Sequence, residues 1–132
     1  VQEALLDDRL AVIARAGHPL AGTAPGRDAL AAYPWIVGSA NTPLRAQWTA
    51  MFGDCPPPAP IECGSVMTIR GVLLDSDCLT LLSPDQIAME IDAGLLTVIG
   101  RPRDDMVRTI GATTRDGWRP TALQARFMEL LR

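Results

Sequence analysis

The sequence predicts an α/β fold, a mostly parallel sheet with helices on both faces. Short apolar runs of strand length recur along the chain, among them residues 9–15 (RLAVIAR), 34–39 (PWIVGS) and 95–100 (LLTVIG). Stretches with helical spacing of apolar residues alternate with them, and strands alternating with helices at this interval join as βαβ units. With 132 residues and 48% hydrophobic content the chain can bury one core, and a single globular unit is expected.

The elements follow in order. Residues 9–15 are rich in β-branched and apolar side chains and are closed by Gly17 and Pro19, which predicts a strand and a turn. Residues 26–33 suit two helical turns before Pro34, and residues 34–39 a buried strand stopping at Gly38. Thr42 can cap a helix with Pro43 in its first turn, and Leu44, Trp48, Met51 and Phe52 share one face of it up to Gly53. The CPPPAP run at 55–60 cannot be helical and predicts an extended connector into a short strand, IEC. From Val66 a second helix carries Val66, Ile69 and Leu73 on one face until DSD at 75–77 breaks it. CLTLLSP repeats the strand-to-helix device, because Ser83, Pro84, Asp85 and Gln86 match a capping box with proline at the first position. That helix ends at Gly94. A strand at 95–100, a charged loop, a strand at 106–114 and an amphipathic helix from Thr121 complete the chain. The apolar stripe of that helix, Leu123, Phe127, Leu130 and Leu131, must be buried against the chain or a partner.

A net charge of −3 argues against a surface that neutralises many phosphates, so the chain alone is not expected to bind nucleic acid. No apolar run reaches the roughly 18 to 20 residues of a membrane span. The first residues, VQEALLDDRL, carry neither an initiator methionine nor a signal-peptide pattern, which suggests a start inside a longer protein. Cys55, Cys63 and Cys78 form no C-x-x-C pair, and the one histidine, His18, is far away in sequence, so neither a zinc framework nor a disulfide scaffold is implied. A reducing cytoplasm fits. No nucleotide cradle or nucleophile elbow occurs, and His18 in the turn GHPLAG reads as a structural or surface residue. Asp75, Asp77, Asp104 and Asp105 lack metal-loop spacing and read as solvated charges. No enzyme activity, cofactor or metal is expected. Ser39, Ser65 and Ser83 instead stand out, since each follows a strand and precedes or caps a helix. In α/β sheets such positions gather at the carboxyl edge, where helix-start N–H groups suit a small anionic or hydroxylated molecule.

Several pieces together resemble the effector-binding, or substrate-binding, domain of LysR-type transcriptional regulators: DDRLAVIARAGHPLAG, LAAYPWIVGS with Arg45 following, residues 61–96, and RTIGATTRDGWRPTALQARFMELLR. The resemblance runs collinearly through nearly all of the chain. It implies one lobe of a type 2 periplasmic-binding-protein fold, here a partial effector-binding domain. Residues from about 16 to 106 would form the second subdomain, and 107–132 the return segment and terminal helix of the first. It implies a small-molecule inducer bound between subdomains, with contacts from this half at Ser39, Ser65, Val66 and Ser83. It further implies DNA binding only through an N-terminal helix-turn-helix outside these residues; with most of the first subdomain absent, the apolar stripe Leu123, Phe127, Leu130 and Leu131 predicts a homo-oligomer, a symmetric dimer, and no membrane partner is expected. The alternative is a lobe of a periplasmic-type solute-binding protein, which shares the architecture but serves a transporter. A small thiol or serine hydrolase built on Cys63 or Ser65 is more distant.

Overall fold

The computed structural model describes residues 1–132, and they divide into two compact units: Arg9–Met106, and Val1–Asp8 together with Val107–Arg132. The larger unit holds strands β2 (Ala11–Arg15), β3 (Trp35–Val37), β4 (Ile61–Glu62), β5 (Leu79–Leu82) and β6 (Leu96–Ile99). Its helices are α1 (Arg27–Ala31), α2 (Pro43–Phe52), α3 (Val66–Leu74) and α4 (Ala88–Asp92), the last entered through a 3-10 turn at Pro84–Ile87.

The five strands form one sheet in the order β4-β3-β5-β2-β6. β3 runs parallel to β4 and β5, whereas β2 runs antiparallel to β5 and β6. Four strands therefore point one way and β2 alone is reversed. The sheet is mixed where a mostly parallel one was expected. The reversal is a matter of pairing: β2 lies between β5 and β6 and meets both antiparallel, and its connection through α1 leads to β3, which is not its neighbour.

Both faces of the sheet are buried, and alternation along the strands divides the core in two. Leu10, Val12 and Ala14 join Trp35, Val37, Leu79 and Leu81 on one face, against Leu30 of α1 and Trp48 and Phe52 of α2. Ala11 and Ile13 join Ile36 and Leu82 on the other, against Ile69 and Leu73 of α3 and Ile87 of the 3-10 turn. An aromatic cluster anchors the first face. The Trp35 ring lies 5.5 Å from Phe52 and 6.2 Å from Trp48, and its Nε1 donates to the Leu30 carbonyl at 3.0 Å.

The smaller unit contains β1 (Gln2–Arg9, its last residue lying in the larger unit), β7 (Val107–Thr113) and α5 (Ala122–Leu131). β1 and β7 pair as a two-stranded ribbon. Val1 meets Thr114 at one end, and at the other Asp7 accepts from Thr109 while the buried Asp8 pairs with Arg108 at 2.7 Å, so the strands run antiparallel. α5 starts with a capping box at Thr121 and Gln124, and Arg132 after it grips Glu3 of β1 through two nitrogens. That guanidinium holds the Glu3 carboxyl below its ordinary value, so the contact is made at neutral pH and lost as the pH falls. No residue of α5 is buried: Leu123 is 80%, Phe127 59% and Leu130 71% exposed.

Gly111 of β7 faces the Glu3 backbone so closely that a side chain there has no room. Gly111→Ala is expected to pry β7 from β1. Hydrogen exchange should then accelerate at the ribbon amides, such as Thr114, while the amides of β2 and β5 keep their protection.

Candidate functional site

The carboxyl ends of β4, β3 and β5 lie side by side, because these adjacent strands are parallel, with Val37 opposite Glu62 and Ile36 opposite Thr80. Ser39, Ser65 and Ser83 follow Val37, Glu62 and Leu82 within a few residues, so all three occupy this one edge of the larger unit.

Their surroundings differ. Ser39 is exposed, and its carbonyl accepts from both the N–H and the hydroxyl of Thr42; it is Thr42 that caps α2, accepting from the Arg45 N–H at 3.3 Å. Ser65 is exposed and caps α3, its Oγ accepting from the Thr68 N–H at 3.3 Å. Val66, the first residue of α3, is half-buried against the second core. Ser83 is buried, its Oγ accepting from the Asp85 N–H at 3.2 Å while its own N–H donates to Gln86.

Helix starts offer donors because their first N–H groups lack partners within the helix. Pro43 and Pro84 remove one such donor from α2 and from the 3-10 turn, and at Ser83 the hydroxyl and carbonyl take up the next two. α3 has no proline in its first turn, so Val66 and Met67 keep their N–H groups beside the exposed Ser65 hydroxyl. This terminus is the richest in donors along the edge.

Sequence reasoning did not assign three further groups to the edge. The Arg45 guanidinium lies 5.3 Å over the Trp48 ring, donates from Nη1 to the Gly38 carbonyl at 2.9 Å, and reaches Glu62 at 3.4 Å. Beneath it the Trp48 Nε1 is a buried donor with no acceptor, beside a cavity of about 20 Å³ walled by Gly38, Leu44, Cys63, Ile69 and Thr80. Cys63 Sγ accepts from the Ser65 N–H at 3.4 Å. The residue types were visible, but the meeting of Arg45 with Glu62 depends on strand order.

A roomier cavity, about 510 Å³, lies in the smaller unit along α5 and the end of β7, walled by Arg115, Trp118, Phe127 and Met128 among others. None of the serines lines it. Of the two roles expected for His18 the structure shows the structural one, since the ring is buried: the Leu20 N–H donates to Nδ1 at 3.0 Å, which leaves Nε2 to carry the proton toward the Asp77 carbonyl at 3.0 Å. Asp77, Asp104 and Asp105 pair with Arg15, Arg9 and Arg103.

A family model described as the LysR substrate binding domain matches residues 1–132. The chain belongs to that family. This LysR domain is 32% identical over 120 residues to the HTH-type transcriptional regulator GalR of Pseudomonas putida, covering 89% of this chain and 30% of that one. It is 33% identical over 91 residues to the SDS degradation transcriptional activation protein of a Pseudomonas species, covering 67% of this chain and 29% of that one. The LysR domain thus spans about 30% of the length of the curated relatives it matches, and these are transcriptional regulators, not enzymes. Among solved structures it is similar to the regulatory domain of Synechocystis CcmR in complex with 2-PG, with a TM-score of 0.80 and 23% identity, covering 99% of this chain and 64% of that one. It is also similar to the effector binding domain of QuiR in complex with shikimate, with a TM-score of 0.75 and 15% identity, covering 98% of this chain and 63% of that one. No helix of the LysR domain is long and apolar enough to cross a membrane.

The serines should separate in stability measurements. Ser83→Ala removes a buried cap and is expected to cost about 1 kcal/mol in denaturant unfolding, whereas Ser39→Ala, whose hydroxyl caps no helix, should change stability by less than about 0.5 kcal/mol.

Proposed function

We propose that this chain is the small-molecule-sensing part of a bacterial LysR-type transcriptional regulator working in the cytoplasm. In this reading a small organic effector, anionic or hydroxylated, binds at the edge formed by the ends of β4, β3 and β5 and alters DNA binding by a helix-turn-helix elsewhere in the parent protein. The observation that carries it is the convergence of the exposed Ser39 and Ser65 on one edge with the donor-rich start of α3. Ser39, Ser65 and the Val66 N–H contact the ligand, and Ser83 contributes chiefly by holding the end of β5 in shape. The 2-PG and shikimate complexes of the similar domains support a small hydroxylated or anionic ligand class. In this reading residues from about 16 to 106 form the second subdomain of the effector-binding domain and 107–132 the return segment and terminal helix of the first; the separate compact unit Arg9–Met106 supports it.

Titration of the isotopically labelled chain with a panel of hydroxy acids, sugar acids and aromatic acids, followed by amide chemical shifts, tests the reading. At least one class should produce saturable shifts centred on residues 39–42 and 65–68. Ser65→Ala should weaken that ligand several-fold while costing about 1 kcal/mol of stability or less. Shifts confined to the groove beside Trp118 would contradict the placement.

We further propose that the chain forms a homo-oligomer, with the exposed Leu123, Phe127 and Leu130 of α5 meeting a second copy. Three large exposed side chains at roughly 1.5 to 3 kcal/mol each are a strong drive to association, and a symmetric dimer closes such a patch. Light scattering should give a dimer that dissociates in Leu123→Glu/Leu130→Glu; a wild-type monomer at all concentrations would contradict it.

A further inference from the structure

We propose that Arg45 is the recognition residue for an anionic group of the effector, and that Glu62 competes with that anion for the same guanidinium. The proposal rests on the reading of the strand edge as the effector site and narrows its ligand to one bearing a carboxylate or an equivalent planar oxyanion.

The geometry of Arg45 carries it. The side chain is only 25% exposed, yet its protein partners are limited to one nitrogen, Nη1, which serves both the Gly38 carbonyl and Glu62. Stacking on Trp48 and the bond to Gly38 fix the plane of the group, which lowers the cost of ordering it when a ligand arrives. A guanidinium carries five N–H donors, and the Nε and Nη2 donors of Arg45 have no protein acceptor. Those two nitrogens form the fork that a carboxylate fits with two parallel bonds.

The contact with Glu62 is the weakest of its kind in the chain. At 3.4 Å it is the longest of the eight ion pairs, the others measuring 2.6 to 3.0 Å. It is also made through a single nitrogen, whereas Arg103–Asp105 and Arg132–Glu3 are bidentate. Half-exposed carboxylates in such long pairs contribute little, so a ligand anion that takes the open fork displaces little. Glu62 still sets a threshold, because its negative charge opposes the arriving anion. It immediately precedes Cys63, Gly64 and Ser65, so a shift of Glu62 bears directly on the start of α3.

Lactate and its neutral isostere lactamide test the proposal on the full 132-residue chain at matched ionic strength, with amide and Trp48 indole N–H shifts as readout. Lactate should bind more tightly than lactamide, move the Trp48 indole resonance, and lose more than about tenfold in affinity in Arg45→Gln while lactamide is unaffected. Arg45→Lys should fall between, since an ammonium keeps the charge but not the fork. Glu62→Gln, which leaves the Arg45–Gly38 bond in place, should tighten lactate by about threefold. Equal binding of lactate and lactamide at residues 39–42 and 65–68 would overturn the role of Arg45 and leave the edge as the effector site. Unchanged lactate affinity in Glu62→Gln would overturn the competition. Absence of saturable shifts at the edge with either compound, and with the wider panel of acids, would overturn the inference together with the reading beneath it.

Discussion

The burial of β2 on both faces is the constraint from which the rest of the larger unit follows. Ala11, Val12, Ile13 and Ala14 are all almost fully covered, with alternate residues feeding opposite cores. A strand with no solvent side needs a layer on each face, so α1 and α2 must cover one and α3 with the 3-10 turn the other. It also needs ladder partners on both edges, which β5 and β6 supply. With β5 fixed by that pairing, β3 and β4 add beyond it in parallel, and the connections through α2 and α3 then leave their carboxyl ends on one edge. The shared edge is a by-product of where the core allows strands to end.

What chemistry that edge offers is decided by small local choices. Proline in the first turn pre-sets a helix start but takes away a donor, and two of the three starts at this edge carry one. The α3 start does not, and it sits next to Glu62, whose partner Arg45 is held in place by a carbonyl and an indole ring. A capped, donor-rich terminus beside an oriented guanidinium is a local concentration of positive potential in a chain whose net charge is −3. In the smaller unit the balance differs: a ribbon held by Asp8–Arg108 and Glu3–Arg132 carries a helix whose apolar stripe faces solvent.

Local pattern made much of this legible in the sequence. The strands at 35–37, 79–82 and 96–99, the helices at 43–52 and 66–74, and the caps at Thr42, Ser65, Ser83 and Thr121 all follow from periodicity and turn chemistry. β1 was not legible, because QEALLDDR has three acidic residues and no clean alternation, and it is a strand by virtue of β7, some hundred residues away. The reversal of β2 was hidden for a related reason: direction is set by pairing, and period-two alternation reads the same both ways. At the candidate site, three serines look equivalent in sequence, yet packing buries Ser83 and exposes the other two. Arg45 and Glu62 lie 17 residues apart and meet only because β3 and β4 are neighbours.

The most direct measurement is a crystal structure of this chain grown with whichever acid of the panel gives saturable amide shifts. The account predicts effector density at the carboxyl ends of β3, β4 and β5, within hydrogen-bond distance of Ser39, of Ser65 or of the Val66 N–H. Effector density seated solely against Trp118 and Phe127, with the serine edge untouched, would contradict it.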